Sequence, residues 1–151
     1  MDEKHFFFME VAFKEAQKAF TKNEVPVGAV AVSNNKIISK AHNNTEKSQF
    51  FFGHAEFLVL MKINKKLKTY RMNDISIYIT LEPCIMCIGA LIQSRIQKVY
   101  YSVSSTKFLF TRNFFLFVHK KFYHHKFIKL GLFENENQKI LKSFFDNLRK
   151  K

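Results

Sequence analysis

Tryptophan is missing from this sequence, and cysteine, proline and glycine are scarce, at two, two and four residues. Each scarcity excludes something. Both cysteines belong to one Cys84-x-x-Cys87 pair, so none is left for a disulfide framework, and a reducing, cytoplasmic compartment is expected. No Gly/Pro-rich seam, repeat or low-complexity tract divides the chain, so residues 1–151 are expected to form a single domain. No apolar run approaches the ~20 residues of a membrane helix, so no membrane partner is expected. Phe6-Phe7-Phe8 is too short for a secretory signal, and Glu10 interrupts it.

Arginine is rare as well, at 4 residues against 21 lysines. Phenylalanine, by contrast, is plentiful. The 19 phenylalanines and the lysine excess look like the coding bias of an A/T-rich genome, so most Phe side chains are read as core or boundary filler. A hydrophobic fraction of 47% over 151 residues supports a folded core and argues against disorder. The net charge of +13 has two readings: a soluble Lys-rich surface, or a phosphate-rich partner whose counterions are released on binding. The charge is concentrated late. Lys107 to Lys151 hold 11 basic and 3 acidic residues, whereas the first 106 residues hold 14 and 9.

Phe6, Met9, Phe13, Ala16 and Phe20 recur at helical spacing and predict an amphipathic helix ending near Asn23. Val25–Val32 and Ile37–Ala41 read as a hairpin around the turn signal Asn34-Asn35, followed by a polar loop, Asn43–Gln49. His54–Leu67 reads as a helix with Leu58, Leu60 and Met61 inward, and Ile75–Leu81 as a strand. Cys84–Ser94 reads as a helix with Pro83 suited to its first turn. Lys98–Val103 and Phe127–Leu130 read as further strands, and Glu134–Lys150 as a last helix, acidic at its start and basic at its end. Lys107–Lys126 mixes aromatic and basic residues without a clean period. The order implies a mixed sheet with helices on its faces.

The chemistry sits in His54-Ala55-Glu56 and, thirty positions after His54, in Cys84-Ile85-Met86-Cys87 behind Pro83. Singly, these residues have bland readings: a core histidine, a solvated carboxylate, two buried apolar thiols. Together they offer one imidazole and two thiolates, a zinc ligand set that keeps its fourth tetrahedral position for water. Glu56 adds a carboxylate for proton transfer. Cys84 and Cys87, at i and i+3, share a helical face, and two helix N-termini favour anionic groups there. A structural zinc site would be closed by a fourth ligand, in principle His42 or the pair His124-His125, but it has no use for Glu56. A redox C-x-x-C needs no upstream His-x-Glu. His5 and His119 are read as surface residues, and His124-His125 as part of a basic stretch that could touch a phosphate or base.

The pattern H-x-E…P-C-x-x-C is the signature of zinc-dependent nucleobase deaminases. The flanking segments carry the likeness further. Glu24–Val30 (EVPVGAV), Thr80–Cys87 (TLEPCIMC), Gly89–Ile96 and Val99-Tyr100-Tyr101 resemble the tRNA-specific adenosine deaminases of bacteria, within the cytidine deaminase-like superfamily. Phe144-Phe145 before a basic tail resembles the family's last helix. The resemblance implies a three-layer α/β sandwich with a central mixed five-stranded sheet and helices on both faces. It also implies a homodimer with one Zn2+ per chain, acting on a tRNA anticodon stem-loop to convert the wobble adenosine to inosine. On that resemblance His54, Cys84 and Cys87 hold the metal and Glu56 moves the protons. Asn43 matches the family's base-contacting Asn, Val27 and Ala55 lie beside the base, and Lys107 matches a lysine of the segment that holds the RNA loop. The chain departs after Tyr101, where Ser105 stands at an Asp position and the family's glycines are gone. Phe108, Phe110, Arg112 and Phe114 could stack bases and meet phosphates in their place, although the phenylalanines are read first as filling the core or a dimer interface. Two alternatives stay open: deamination of a free nucleobase or nucleoside of cytosine or guanine type, and a non-catalytic tRNA-binding subunit, which the presence of Glu56 opposes.

Overall fold

A computed structural model describes residues 2–105 and 125–151. Helix α1 (Glu3–Thr21) opens on Asp2, whose carboxylate caps it by accepting the Lys4 N–H, and it buries Phe8, Met9, Ala12, Ala16 and Ala19 on one face. Strands β1 (Gly28–Ser33) and β2 (Lys36–His42) form the expected hairpin. Ser33 pairs with Lys36 across Asn34 and Asn35, at φ 50° and 60°, the left-handed pair that a two-residue hairpin turn requires. A short helix, α2 (Thr45–Ser48), then stands inside the segment read from the sequence as a loop. Helix α3 (Ala55–Leu67), strand β3 (Ile75–Leu81), helix α4 (Ile85–Gln93) and strand β4 (Lys98–Val103) follow. Strand β5 (Lys126–Lys129) and helix α5 (Glu134–Arg149) complete the described elements.

The sheet order is β2-β1-β3-β4-β5, with β1 antiparallel to both neighbours and β3, β4 and β5 mutually parallel. Alternation along the strands divides the core into two layers. Ala29, Ala31, Ile77, Ile79 and Val99 pack with α3 and α4, while Val30, Val32, Tyr78 and Tyr100 pack with α1. Helix α5 lies on the α1 side, against β4. This is the expected mixed five-stranded sheet with helices on both faces. Gly28 is required where β1 meets α1, because a Cβ there would lie 2.0 Å from the Ala12 carbonyl oxygen.

Two expectations are corrected and one is qualified. On α3 the buried face is Ala55, Glu56, Val59, Leu60 and Ile63, an i, i+4 stripe that leaves Met61 46% exposed and Leu58 at its flank. Among the described residues most phenylalanines sit in the core or at its boundary, as expected, the exceptions being Phe6, Phe7, Phe50 and Phe51, all more than half exposed. His5 is half-buried rather than a free surface residue, hydrogen-bonded at 2.7 Å to the Tyr78 hydroxyl and packed against Tyr100.

Candidate active site

The site forms beyond the carboxyl end of β3, the position at which open α/β sheets bind ligands. Two helices begin there. His54 is the N-cap residue of α3, and Cys84, just after Pro83, is the N-cap residue of α4, so Pro83 lies outside the helix rather than in its first turn. Glu56 and Cys87 stand in the first turns of the same two helices, with the positive ends of both dipoles directed at the group. The His54 Nδ1 lies 3.5 Å from the Sγ of both Cys84 and Cys87. With a Glu56 oxygen included, all four donor atoms fall within 4.8 Å of one another, the one such group among the described residues.

The donor set fits a tetrahedral metal ion. Zinc sits about 2.0–2.3 Å from imidazole nitrogen and thiolate sulfur, which places such a pair about 3.6 Å apart at a tetrahedral angle. Glu56 supports the same reading, since its Oε2 is buried with no hydrogen-bond partner. The titration behaviour shows what a cation would resolve. The Cys84 thiol is pulled down to about 4, mainly by the hydrogen bond from Cys87, with His54 adding to it. The Cys87 thiol is pushed up by that shared bond and by burial. The hydrogen bond with Cys84 raises His54, and burial raises Glu56. The protein alone thus keeps one thiol protonated, whereas a divalent cation would favour both as thiolates.

A cavity of about 170 Å3 opens beside these groups. The sequence-selected Val27, Asn43, Ala55 and Glu56 line it together. Sequence reasoning did not single out two further carboxylates, one bracing the Asn43 loop and one lining the cavity. Glu24 is 1% exposed and accepts the backbone N–H groups of Glu46 and Lys47 at 2.8 and 2.9 Å. It thereby caps α2, which has no side-chain cap of its own, and ties the Asn43 loop to the segment leading into Val25 and Val27. Glu82 lines the cavity and accepts the Ser105 N–H at 2.8 Å, fixing the point where the chain leaves β4. Glu24 and Glu82 stand in the EVPVGAV and TLEPC segments, which was the available signal.

Other candidates lie elsewhere. His42 is no metal ligand: its Nδ1 donates to Glu15 at 2.8 Å, and its Nε2 accepts from Lys22 at 3.2 Å. His125 is buried with its Nδ1 2.6 Å from the Ile96 carbonyl oxygen, away from the metal-ligand group. Lys107, Phe108, Phe110, Arg112, Phe114, His119 and His124 lie outside the described residues.

The MafB19-like deaminase family matches over residues 2–149. The chain belongs to this deaminase family. A tRNA-specific adenosine deaminase of Bacillus subtilis is 41% identical over 145 residues, covering 95% of this chain and 90% of the relative. A solved structure from a study of A-to-I editing by tRNA:A34 deaminases at the wobble position of transfer RNA is 37% identical, with a TM-score of 0.65 over 67% of this chain and 78% of that one. The guanine deaminase of Bacillus subtilis is 31% identical, with a TM-score of 0.65 over 80% of this chain and 76% of its own. Among the described residues of this deaminase, no helix is long and apolar enough to cross a membrane.

Proposed function

We propose that this deaminase is a single-domain cytoplasmic enzyme that converts adenosine to inosine at the wobble position of a tRNA anticodon stem-loop. It would hold one zinc ion per chain on His54, Cys84 and Cys87 and work as a homodimer. The observation that carries the reading is the convergence of these three donors and Glu56 on a cavity walled by Val27 and Ala55. At about 170 Å3 that cavity is well under the ~300–1,000 Å3 of drug-sized sites and leaves room for one base.

Zinc bound there supplies Lewis acidity that makes water nucleophilic near neutral pH. The chain's own residues do the rest. Glu56 Oε2 takes a proton from the attacking water, passes it to the purine ring nitrogen and assists the departure of ammonia. Asn43 orients the base. Its Oδ1 already accepts the Thr45 hydroxyl at 3.1 Å, which leaves the Nδ2 hydrogens to donate to the purine edge. Lys107 is assigned to the RNA loop. The test is incubation of the zinc-loaded protein with a tRNA bearing adenosine at the wobble position, followed by sequencing for inosine. Conversion is expected, and none with zinc bound overturns the reading.

A second reading, deamination of a free base, draws on the likeness to the guanine deaminase of Bacillus subtilis. Salt separates the two. The KM for tRNA should rise steeply with ionic strength as phosphate contacts are screened, whereas a free-base KM should barely move.

A further inference from the structure

A second cavity, of about 690 Å3, follows the β2 edge of the described sheet between β2, α1 and α3. Lys40, Lys62 and Lys65 line it, with His42 and Glu15. Among the described residues Glu15 is the one carboxylate in that lining, and cations surround it: Lys18 lies 2.8 Å away, His42 2.8 Å and Lys40 3.8 Å. Lys62 reaches across from α3 to donate to the Lys40 carbonyl at 2.8 Å, and Lys22 adds a cation beside His42. The groove is therefore strongly positive, with Leu58 and Met61 supplying apolar surface between the charges.

The groove adjoins the catalytic cavity. Asn43 lines one and Asn44 the other. Helix α3 starts at the metal ligands and carries Lys62 and Lys65 away from them, about 10 and 15 Å along its axis. Lysine on an edge strand often serves only to block strand-to-strand pairing. That role accounts for Lys40 but not for Lys62 and Lys65, which stand on a helix.

We propose that this groove binds the phosphodiester backbone of RNA flanking the reacting nucleotide. The proposal rests on the tRNA reading above. The test compares the wild type with the exposed pair Lys62→Glu/Lys65→Glu, and with a charge-matched control, Lys4→Glu/Lys98→Glu, near the opposite end of β3 and β4. Steady-state kinetics on tRNA should show KM up by about tenfold at low salt with kcat unchanged. The log–log salt slope of binding should be shallower by about 1.5, as for two lost contacts. The control should change neither by as much. Unchanged KM and slope, or an equal loss in the control, overturns the proposal and leaves the tRNA reading standing. If the wild type forms no inosine, the tRNA reading fails instead, and the groove is judged by anisotropy with a labelled RNA hairpin. Weakened hairpin binding by the Lys62/Lys65 variant alone supports the groove. Displacement of the hairpin by a polyglutamate peptide as readily as by unlabelled RNA assigns the groove to an acidic protein and overturns it.

Discussion

At Glu56, burial and chemistry point the same way. The side chain is 4% exposed, one carboxyl oxygen has no partner, and desolvation raises its pKa above the ordinary 4.5. Glu56→Gln keeps the shape and removes the proton. Deamination should fall by about 10²–10⁴ while zinc content and thermal midpoint stay as in the wild type, read by metal analysis, inosine formation and a melting curve. Loss of zinc would make Glu56 a ligand and overturn its assignment as the proton carrier. His54, Glu56, Cys84 and Cys87 were legible in the sequence because metal chemistry tolerates few residue types and the pattern repeats their spacing. Glu24 and Glu82 carry no such restriction: a carboxylate that accepts backbone N–H groups looks like any other until the chain is folded.

Helix α1 shows what one element contributes beyond its own apolar stripe. Its buried Glu15 gathers Lys18 and His42, and their hydrogen bonds outweigh the cost of burial and hold its carboxyl below the ordinary 4.5. A carboxyl lowered on folding stabilises the fold fully above its unfolded pKa, and that contribution is lost as pH falls through the folded value. Glu15→Gln should therefore lower the melting temperature at pH 7, and the gap to the wild type should close as pH drops below about 4.5. A gap that stays constant with pH would show that Glu15 is not ionised in its cluster. The periodicity of α1 was readable, but this cluster joins residues 27 positions apart through the β2 edge and left no local trace. Helix α3 teaches the same lesson at finer grain. Its existence and length followed from sequence, yet Met61 was assigned inward and faces the groove, because an apolar side chain does not announce which side of a helix the sheet occupies.

For the molecule as a whole, the proposed zinc ion would act as a staple between α3 and α4, whose N-termini otherwise bring together a thiolate, a thiol and a buried carboxyl. A ligand at a thousand times its Kd stabilises by about 4 kcal/mol, worth on the order of 10 °C in a chain of this size. Chelation should lower the melting temperature by that order and zinc should restore it. In Cys87→Ser, the response to zinc should be lost or strongly reduced. A melting curve indifferent to chelator and zinc alike would remove the metal from the reading.

The sequence by itself determined the hairpin at Asn34-Asn35, the alternating core of the strands, every described helix except the short α2, and the residue types of the His54, Glu56, Cys84 and Cys87 group. Each of these depends on local conformational preference or on the chemistry of single residue types. Only the tertiary structure decided that Glu24 braces the Asn43 loop and that lysines from β2 and α3 share one groove. Those facts depend on which faces the sheet brings together, and no short window of sequence contains both sides of such a contact.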